Sequence, residues 1–398
     1  MSPGEPVKAS GVCVVGVGFS APERPARTSL HAHAATAIGQ ALTDSGLARS
    51  DVDGLATYPH APFIGAGEQD GIDVVSVDYV ARQLRFDGAT WAAESSWGMI
   101  SSSISQAASA LSVGLCKYVL VWRAMRLPEH RYGQLSAAPS AGGDDQFIAP
   151  WNLISPVQWH ALAYRRYLER YRSDPSLLGS LAVASRQQAK DNPYAYFRDR
   201  PLDAQIYLDS RVISDPLRLY DCDVPVQSCI ALILTTSERA RHTPWAARLA
   251  GTALNIPAGP ALLHYTLDDY LDRGRRVAAN LWGEAGLGPD ELDSAQIYDG
   301  FAPSVLYWLE SAGFCGPGEA LDFLQGGRIA PGGQLPLNTF GGSLSAGRMH
   351  GLGHIAEAAQ QVAGQAGHRQ LTDVNAVGVF VGSPMLDGGA LVLTTTEW

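Results

Sequence analysis

One short passage of this chain is written twice. Residues 46–58 read GLARSDVDGLATY and residues 286–298 read GLGPDELDSAQIY, aligned without a gap 240 residues apart. Gly46/Gly286, Leu47/Leu287, Asp53/Asp293 and Tyr58/Tyr298 are identical. Each copy follows an Ala-rich stretch of helical character, 32–45 and 275–285. The shared grammar is helix, Gly stop in a left-handed cap, acidic turn, short apolar strand. A weaker correspondence pairs 98–121 with 351–381: a Gly-rich entry, an Ala-rich helix, then an apolar strand. A period this long is far beyond a solenoid repeat and predicts two similar domains side by side.

The strands predicted at 118–122, 230–234, 376–381 and 390–394 are continuously apolar. Such runs suit strands covered on both faces, so the class is α/β. The boundaries that follow are 1–243 for the first half and 244–398 for the second. The first half is longer. Its excess is an insertion of about 123–220, rich in Pro, Trp, Tyr and Arg, the kind of segment expected to build a lid or binding surface.

Charge excludes one class of function. The net charge is −10 and no basic stripe exists, so nucleic acid is not an expected partner. The densest basic run, 164–172, has helical spacing and reads as a solvated helix face or a patch for the phosphates of CoA. The five cysteines are scattered, with no Cys-x-x-Cys pair, which argues against a zinc ribbon or a disulfide framework in this chain. The first ten residues lack a signal-length apolar core, and no apolar run reaches the roughly 20 residues needed to span a bilayer. A cytoplasmic setting without membrane contact is the expectation.

Four motifs stand in a telling order. They are Tyr298-Asp299-Gly300-Phe301, the segment Glu310–Glu319 (ESAGFCGPGE), Asn338-Thr339-Phe340-Gly341-Gly342 and Gly347-Arg348-Met349-His350-Gly351. Together with the duplication they resemble the thiolase superfamily. That resemblance implies a thiolase fold: two duplicated α/β halves in an αβαβα layering. Residues 150–170 and 214–223 are similar to a subgroup, the sterol-carrier-protein-type, lipid-transfer-protein-like aldolases that cleave steroid side chains. The subgroup implies a carbon–carbon lyase acting on a β-hydroxyacyl-CoA thioester. It also implies a homodimer, for which strand 118–122 is the candidate for sheet extension. It further implies a heterotetramer with a small OB-fold/zinc-ribbon partner, so that zinc belongs to the partner and this chain carries no cofactor.

Against that pattern, both thiolase cysteines are missing. The first should fall near Ser95 or Ser96, the second near Gly382-Ser383-Pro384. A Cys nucleophile is therefore excluded. Ser95 or Ser96 is either a replacement nucleophile or a helix cap. Tyr298 stands where thiolases carry an Asn, and reads either as a proton-transferring phenol or as a packed strand end like its repeat mate Tyr58. Asp299 either orients it or caps the next helix. By the resemblance, His350 is a proton-transfer or oxyanion residue and Asn338 belongs to the catalytic set. Gly341, Gly342 and Gly351 let backbone approach a ligand. A metal site of His350 with His354 is the weaker reading of that loop. Arg123, Arg126 and Arg131 are either contacts for an anionic cofactor or surface salt bridges. The resemblance also implies a second Tyr in the C-terminal Gly-rich loop, which here reads SLSAGRMHGLGH and has none. Two further readings stay open: an acyltransferase using Ser95 or Ser96, and a non-catalytic scaffold for a partner protein.

Overall fold

The structure is a computed structural model that describes residues 11–59, 69–95, 99–127, 146, 149–153, 155–255, 266–384 and 388–396. In the first half, β1 (Val12–Phe19), α1 (Leu30–Ser45), β2 (Gly54–Thr57), α2 (Val77–Gln83), β3 (Trp91–Glu94), α3 (Met99–Ser112) and β4 (Tyr118–Met125) come first. After them come α4 (Pro156–Tyr171), α5 (Gly179–Gln188), α6 (Ala204–Leu208), the hairpin β5 (Val212–Ser214) and β6 (Leu217–Arg218), then β7 (Ser228–Thr236) and α7 (Ser237–Ala240). The second half holds β8 (Ala247–Leu254), α8 (Leu267–Ala285), β9 (Ser294–Ile297), α9 (Pro303–Ser311), α10 (Ala320–Phe323), α11 (Leu352–Val362), β10 (Ala376–Val381) and β11 (Gly389–Thr394).

The duplication is visible atom by atom. Helices α1 and α8 both stop at a left-handed glycine, Gly46 at φ 70° and Gly286 at φ 68°. A 3-10 turn follows each, and Asp51 and Glu291 accept from the backbone N–H of Ala48 and Gly288 at 2.8 and 2.7 Å. The invariant aspartates then do the same work. Asp53 accepts from the N–H of Lys117 and Tyr118 at the start of β4, and Asp293 from those of Asn375 and Ala376 at the start of β10. Each carboxylate thus fixes the strand that pairs in parallel with its own.

Strand order in the large sheet is β3-β2-β4-β7-β1-β8-β11-β10-β9. The order β2-β4-β7-β1 is mirrored as β9-β10-β11-β8, and β1 meets β8 over the short ladder Val12–Val14 with Ala247–Leu249. Three large apolar cores separate the layers among the described residues. Cys13, Val15, Ala231 and Ile233 pack outward against α1. Val12, Val14, Leu232 and Leu234 pack inward with residues of α3, α11 and β10. Residues of β9, α8 and α9 form the third core. Both faces of each half-sheet are covered, which is why these strands show no alternation in sequence. The α1–β1 packing is backbone-close: a Cβ on Gly18 would lie 2.0 Å from the Ala37 carbonyl oxygen.

Two expectations need correction here. Strand 118–122 lies inside β4, hydrogen-bonded to β2 on one side and β7 on the other, so its backbone groups are taken. It cannot extend the sheet into a second copy; the outer strand of that half is β3. Second, much of the insertion is core rather than lid. Tyr164, Tyr167 and Leu168 of α4 are buried in the third core, and the Tyr167 hydroxyl bonds the Glu310 carboxylate. The arginines of that helix face outward: Arg165 pairs with Asp215 and Arg170 grips Asp268 with two bonds of 2.6 and 2.8 Å. The basic run is a solvated face.

Helix α4 also buries His160, stacked on Phe301 at 4.6 Å between ring centroids. Burial pushes its pKa down to about 4 from 6.5. The unfolded chain therefore takes up a proton, as pH falls below 6.5, that the folded chain refuses. Stability from this group is complete above that value and falls as pH drops toward 4. Between pH 7 and pH 5 the loss is about 2 kcal/mol. Urea unfolding at both values should show His160→Phe less acid-sensitive than the parent by about that amount.

Candidate active site

The two repeat tyrosines end the paired strands: Tyr58 follows β2 and Tyr298 follows β9. Both are half-buried. Carboxyl ends of parallel strands are where open α/β sheets present their ligand sites. Within the electrostatic reach of both phenols lies Arg123 of β4, only 1% exposed. Its guanidinium lies 4.9 Å from the Tyr58 ring centroid and donates to the Tyr58 carbonyl. It also donates to His350 Nδ1 at 3.1 Å. Burial lowers the Arg123 pKa to about 10, opposed by the phenols of Tyr58 and Tyr298, so it stays protonated near neutrality.

This contact settles the state of His350. A guanidinium has donors only, so Nδ1 must be the acceptor and the ring proton resides on Nε2. Burial, then the charges of Arg123 and Arg348, hold the His350 pKa well below 6.5. The imidazole is therefore a neutral N–H donor, held at a positive φ of 47°. Its ring lies 6.0 Å from that of Tyr58.

Arg123 was read as a contact for an anionic cofactor or as a surface salt bridge. It is not a surface residue: its guanidinium is buried and contacts Tyr58 and His350. Arg126 is ion-paired with Asp73, and Arg131 lies outside the described residues.

Asn338 spends its amide on backbone. Its amide oxygen accepts from the Ile297 N–H at 2.7 Å and its nitrogen donates to the Ile297 carbonyl at 2.8 Å. Both polar atoms clamp the end of β9, one residue before Tyr298. Asp299 neither caps α9 nor bonds Tyr298. Fully buried, it accepts from the N–H groups of Ser343 (2.6 Å) and Leu344 (3.2 Å), and lies 3.2 Å from His354 Nε2. The His354 ring in turn packs edge-on against Tyr298 at 5.7 Å. Asp299 thus positions Tyr298 through His354. That use of His354 removes the His350/His354 metal reading, and no cluster of His, Cys, Asp or Glu suited to a metal is present among the described residues.

The three site glycines are close to the protein's own atoms. A Cβ on Gly341 would meet Ala189 at 2.7 Å, one on Gly351 would meet Val381 at 2.3 Å, and one on Gly342 would meet Asp299 Oδ2 at 2.1 Å. Gly342 also has φ +58°. Gly342→Ala adds left-handed strain and displaces a buried carboxylate, an expected loss of about 2–4 kcal/mol in urea unfolding.

Ser95 lies at the end of β3, 2% exposed, its hydroxyl 3.0 Å from Ser103 and 3.5 Å from Gln106 Oε1. These partners include no base. Ser96 lies outside the described residues. In the second expected cysteine position, the Gly382 carbonyl accepts from the Trp308 indole. The cysteines Cys116, Cys222, Cys229 and Cys315 all have thiols pushed up chiefly by burial.

Three contributors went unseen in sequence: Tyr58 as a site residue, Arg348 and Asp223. Arg348 is buried with its Nε 3.9 Å from Asp223 Oδ2. The repeat does pair Tyr58 with Tyr298, and that pairing was the available signal. Beside the His350 loop is an apolar cavity of about 30 Å³ lined by Phe19, Tyr194, Ile230, Phe340 and Met349 among others, room for a single water.

Residues 267–395 match the family model "Thiolase C-terminal domain-like". The chain is 32% identical over 363 residues to a 17-hydroxy-3-oxo-4-pregnene-20-carboxyl-CoA lyase of Mycobacterium tuberculosis, spanning 88% of this chain and 91% of that one. It is 32% identical over 374 residues to a steroid side-chain-cleaving aldolase of Thermomonospora curvata, spanning 90% and 92%. Among solved structures it superposes on a chain of the Ltp2-ChsH2(DUF35) aldolase with a TM-score of 0.84 and 31% identity, covering 97% of this chain and 98% of that one.

Proposed function

Because this chain belongs to the thiolase-like family that includes the steroid side-chain-cleaving aldolases, we propose that it cleaves a β-hydroxyacyl-CoA by a retro-aldol reaction without a Cys nucleophile. The relative's substrate has that chemistry: a 17-hydroxyl lies β to the carbonyl of a 20-carboxyl thioester. The observation that carries the reading is the Arg123–His350 contact at 3.1 Å. It points a neutral imidazole N–H away from the arginine, the form of donor that stabilises a thioester oxygen as negative charge develops there.

Tyr298 takes the β-hydroxyl proton. The Cα–Cβ bond then breaks, the β-carbon leaves as a carbonyl, and the electron pair moves onto the enolate held by His350 Nε2–H. The fixed positive charge of Arg123 favours negative charge on the neighbouring phenol oxygen. Asn338, Asp299 and His354 position Tyr298 rather than react. An acyl-serine route has less support, since Ser95 is buried against Ser103 with no base among its described partners. A pure scaffold would not need a buried arginine to set one imidazole's tautomer.

The proposal extends to assembly: a homodimer working with a small OB-fold/zinc-ribbon partner in a heterotetramer. Any zinc would then be held by that partner, because the described residues of this chain offer no ligand cluster, and no step of the reaction is assigned to it. Among the described residues no helix is long and apolar enough to cross a membrane, and the proposed setting is the cytoplasm. A panel of β-hydroxyacyl-CoA thioesters with secondary and tertiary β-carbons, followed by product mass, tests the reading. A carbonyl compound plus a shortened acyl-CoA is expected. Turnover that leaves the Cα–Cβ bond intact would overturn it.

A further inference from the structure

We propose that Tyr58, the repeat mate of Tyr298, is the second catalytic phenol and delivers the proton to Cα of the enolate. This rests on the retro-aldol reading and assigns its second half. Cleavage needs two proton transfers. One takes the hydroxyl proton from the substrate; the other gives a proton to the carbon left behind. Tyr298 serves the first, and the C-terminal Gly-rich loop supplies no tyrosine for the other.

The internal duplication supplies one from the opposite half. Tyr58 leaves β2 as Tyr298 leaves β9, each half-buried. Their phenols both act on the charge of Arg123. They differ in their neighbours. The Tyr298 ring packs on His354, 5.7 Å between centroids. The Tyr58 ring lies 6.0 Å from His350 and 4.9 Å from the Arg123 guanidinium. If His350 holds the thioester oxygen, the group beside His350 is beside Cα, because in the enolate that oxygen and Cα are bonded to the same carbon. Tyr298 is then the phenol for the more distant β-hydroxyl.

The protons balance. Tyr298 must react as the phenolate, gaining the hydroxyl proton as the Cα–Cβ bond breaks. Tyr58, starting as phenol, donates its proton to Cα and becomes the phenolate. One negative charge passes between two phenols beside a single guanidinium, and exchange with solvent restores the starting pair. No oxidant, reductant or third reactant is required.

The test uses the reverse of the second transfer. The full-length chain is incubated with propionyl-CoA in D2O and deuterium at Cα is followed by mass. Wild type is expected to exchange measurably, while Tyr58→Phe loses at least tenfold with an unchanged melting temperature. Tyr58→Phe exchanging as fast as wild type would overturn the assignment. A Tyr58→Phe protein that does not fold is replaced by 3-fluorotyrosine at position 58. The exchange profile then moves to lower pH if Tyr58 is the acid, and an unmoved profile overturns the proposal. A wild type that cleaves β-hydroxyacyl-CoA, paired with an exchange-competent Tyr58→Phe, refutes only Tyr58's role. A wild type that neither cleaves nor exchanges refutes the retro-aldol reading on which that role rests.

Discussion

Tyr298→Phe is expected to lower the rate of carbon–carbon cleavage by about 10²- to 10⁴-fold, the usual contribution of a positioned general acid or base. The substitution removes one oxygen and leaves the ring. The ring's edge-on packing against His354 survives, and so does the clamp of Asn338 on Ile297 that sets the strand end. Stability should therefore change by less than about 1 kcal/mol, as for surface-proximal changes that create no cavity. The loss should fall on kcat more than on KM, because the phenol acts on a proton in flight rather than on the bound thioester. Steady-state kinetics beside a thermal melt separate these outcomes. A variant that turns over at the wild-type rate would remove Tyr298 from the chemistry.

The largest effect on stability is expected at Asp299. Its carboxylate is fully buried and serves three partners: the N–H groups of Ser343 and Leu344, and His354. Asp299→Ala leaves those donors without an acceptor and opens a hole beside Gly342. Breaking a buried charged network of this kind costs about 3–5 kcal/mol. Asp299→Asn keeps the shape and one acceptor oxygen, so its cost should be about half. Because His354 rests on both Asp299 and Tyr298, activity should fall in Asp299→Asn even where urea unfolding shows a folded protein. Equal stability of the alanine variant and the parent would mean that the loop does not depend on this carboxylate.

The duplication was legible because its cause is local. A left-handed Gly, a turn capped by its own acidic side chain and an Asp at the strand entry are set by neighbours within a few residues, and they recur at 46–58 and 286–298. The α/β class followed from strands with no alternation, which the double-sided cores explain. Tyr298 and His350 were legible as candidates for the same reason, since they stand in motifs of fixed order. Their wiring was not. That Asn338 spends both amide atoms on Ile297, that Asp299 serves Ser343 and Leu344, and that Arg123 reaches His350 across 227 residues are all tertiary facts. No spacing encodes them. The burial of Arg123 was not legible because arginine is usually a surface residue, and only its place inside β4 reveals it. Strand 118–122 was misplaced for a related reason, since an apolar run gives burial without giving order in the sheet.

The central claim, cleavage by proton transfer rather than through an acyl-enzyme, meets its most direct test in stoichiometry. A β-hydroxyacyl-CoA is turned over with and without added free CoA while the intact mass of the protein is recorded. Carbonyl product and shortened acyl-CoA should appear one to one, at a rate independent of free CoA, with no acyl mass on the protein. A rate that requires free CoA, accompanied by an acyl adduct on the chain, would contradict the account.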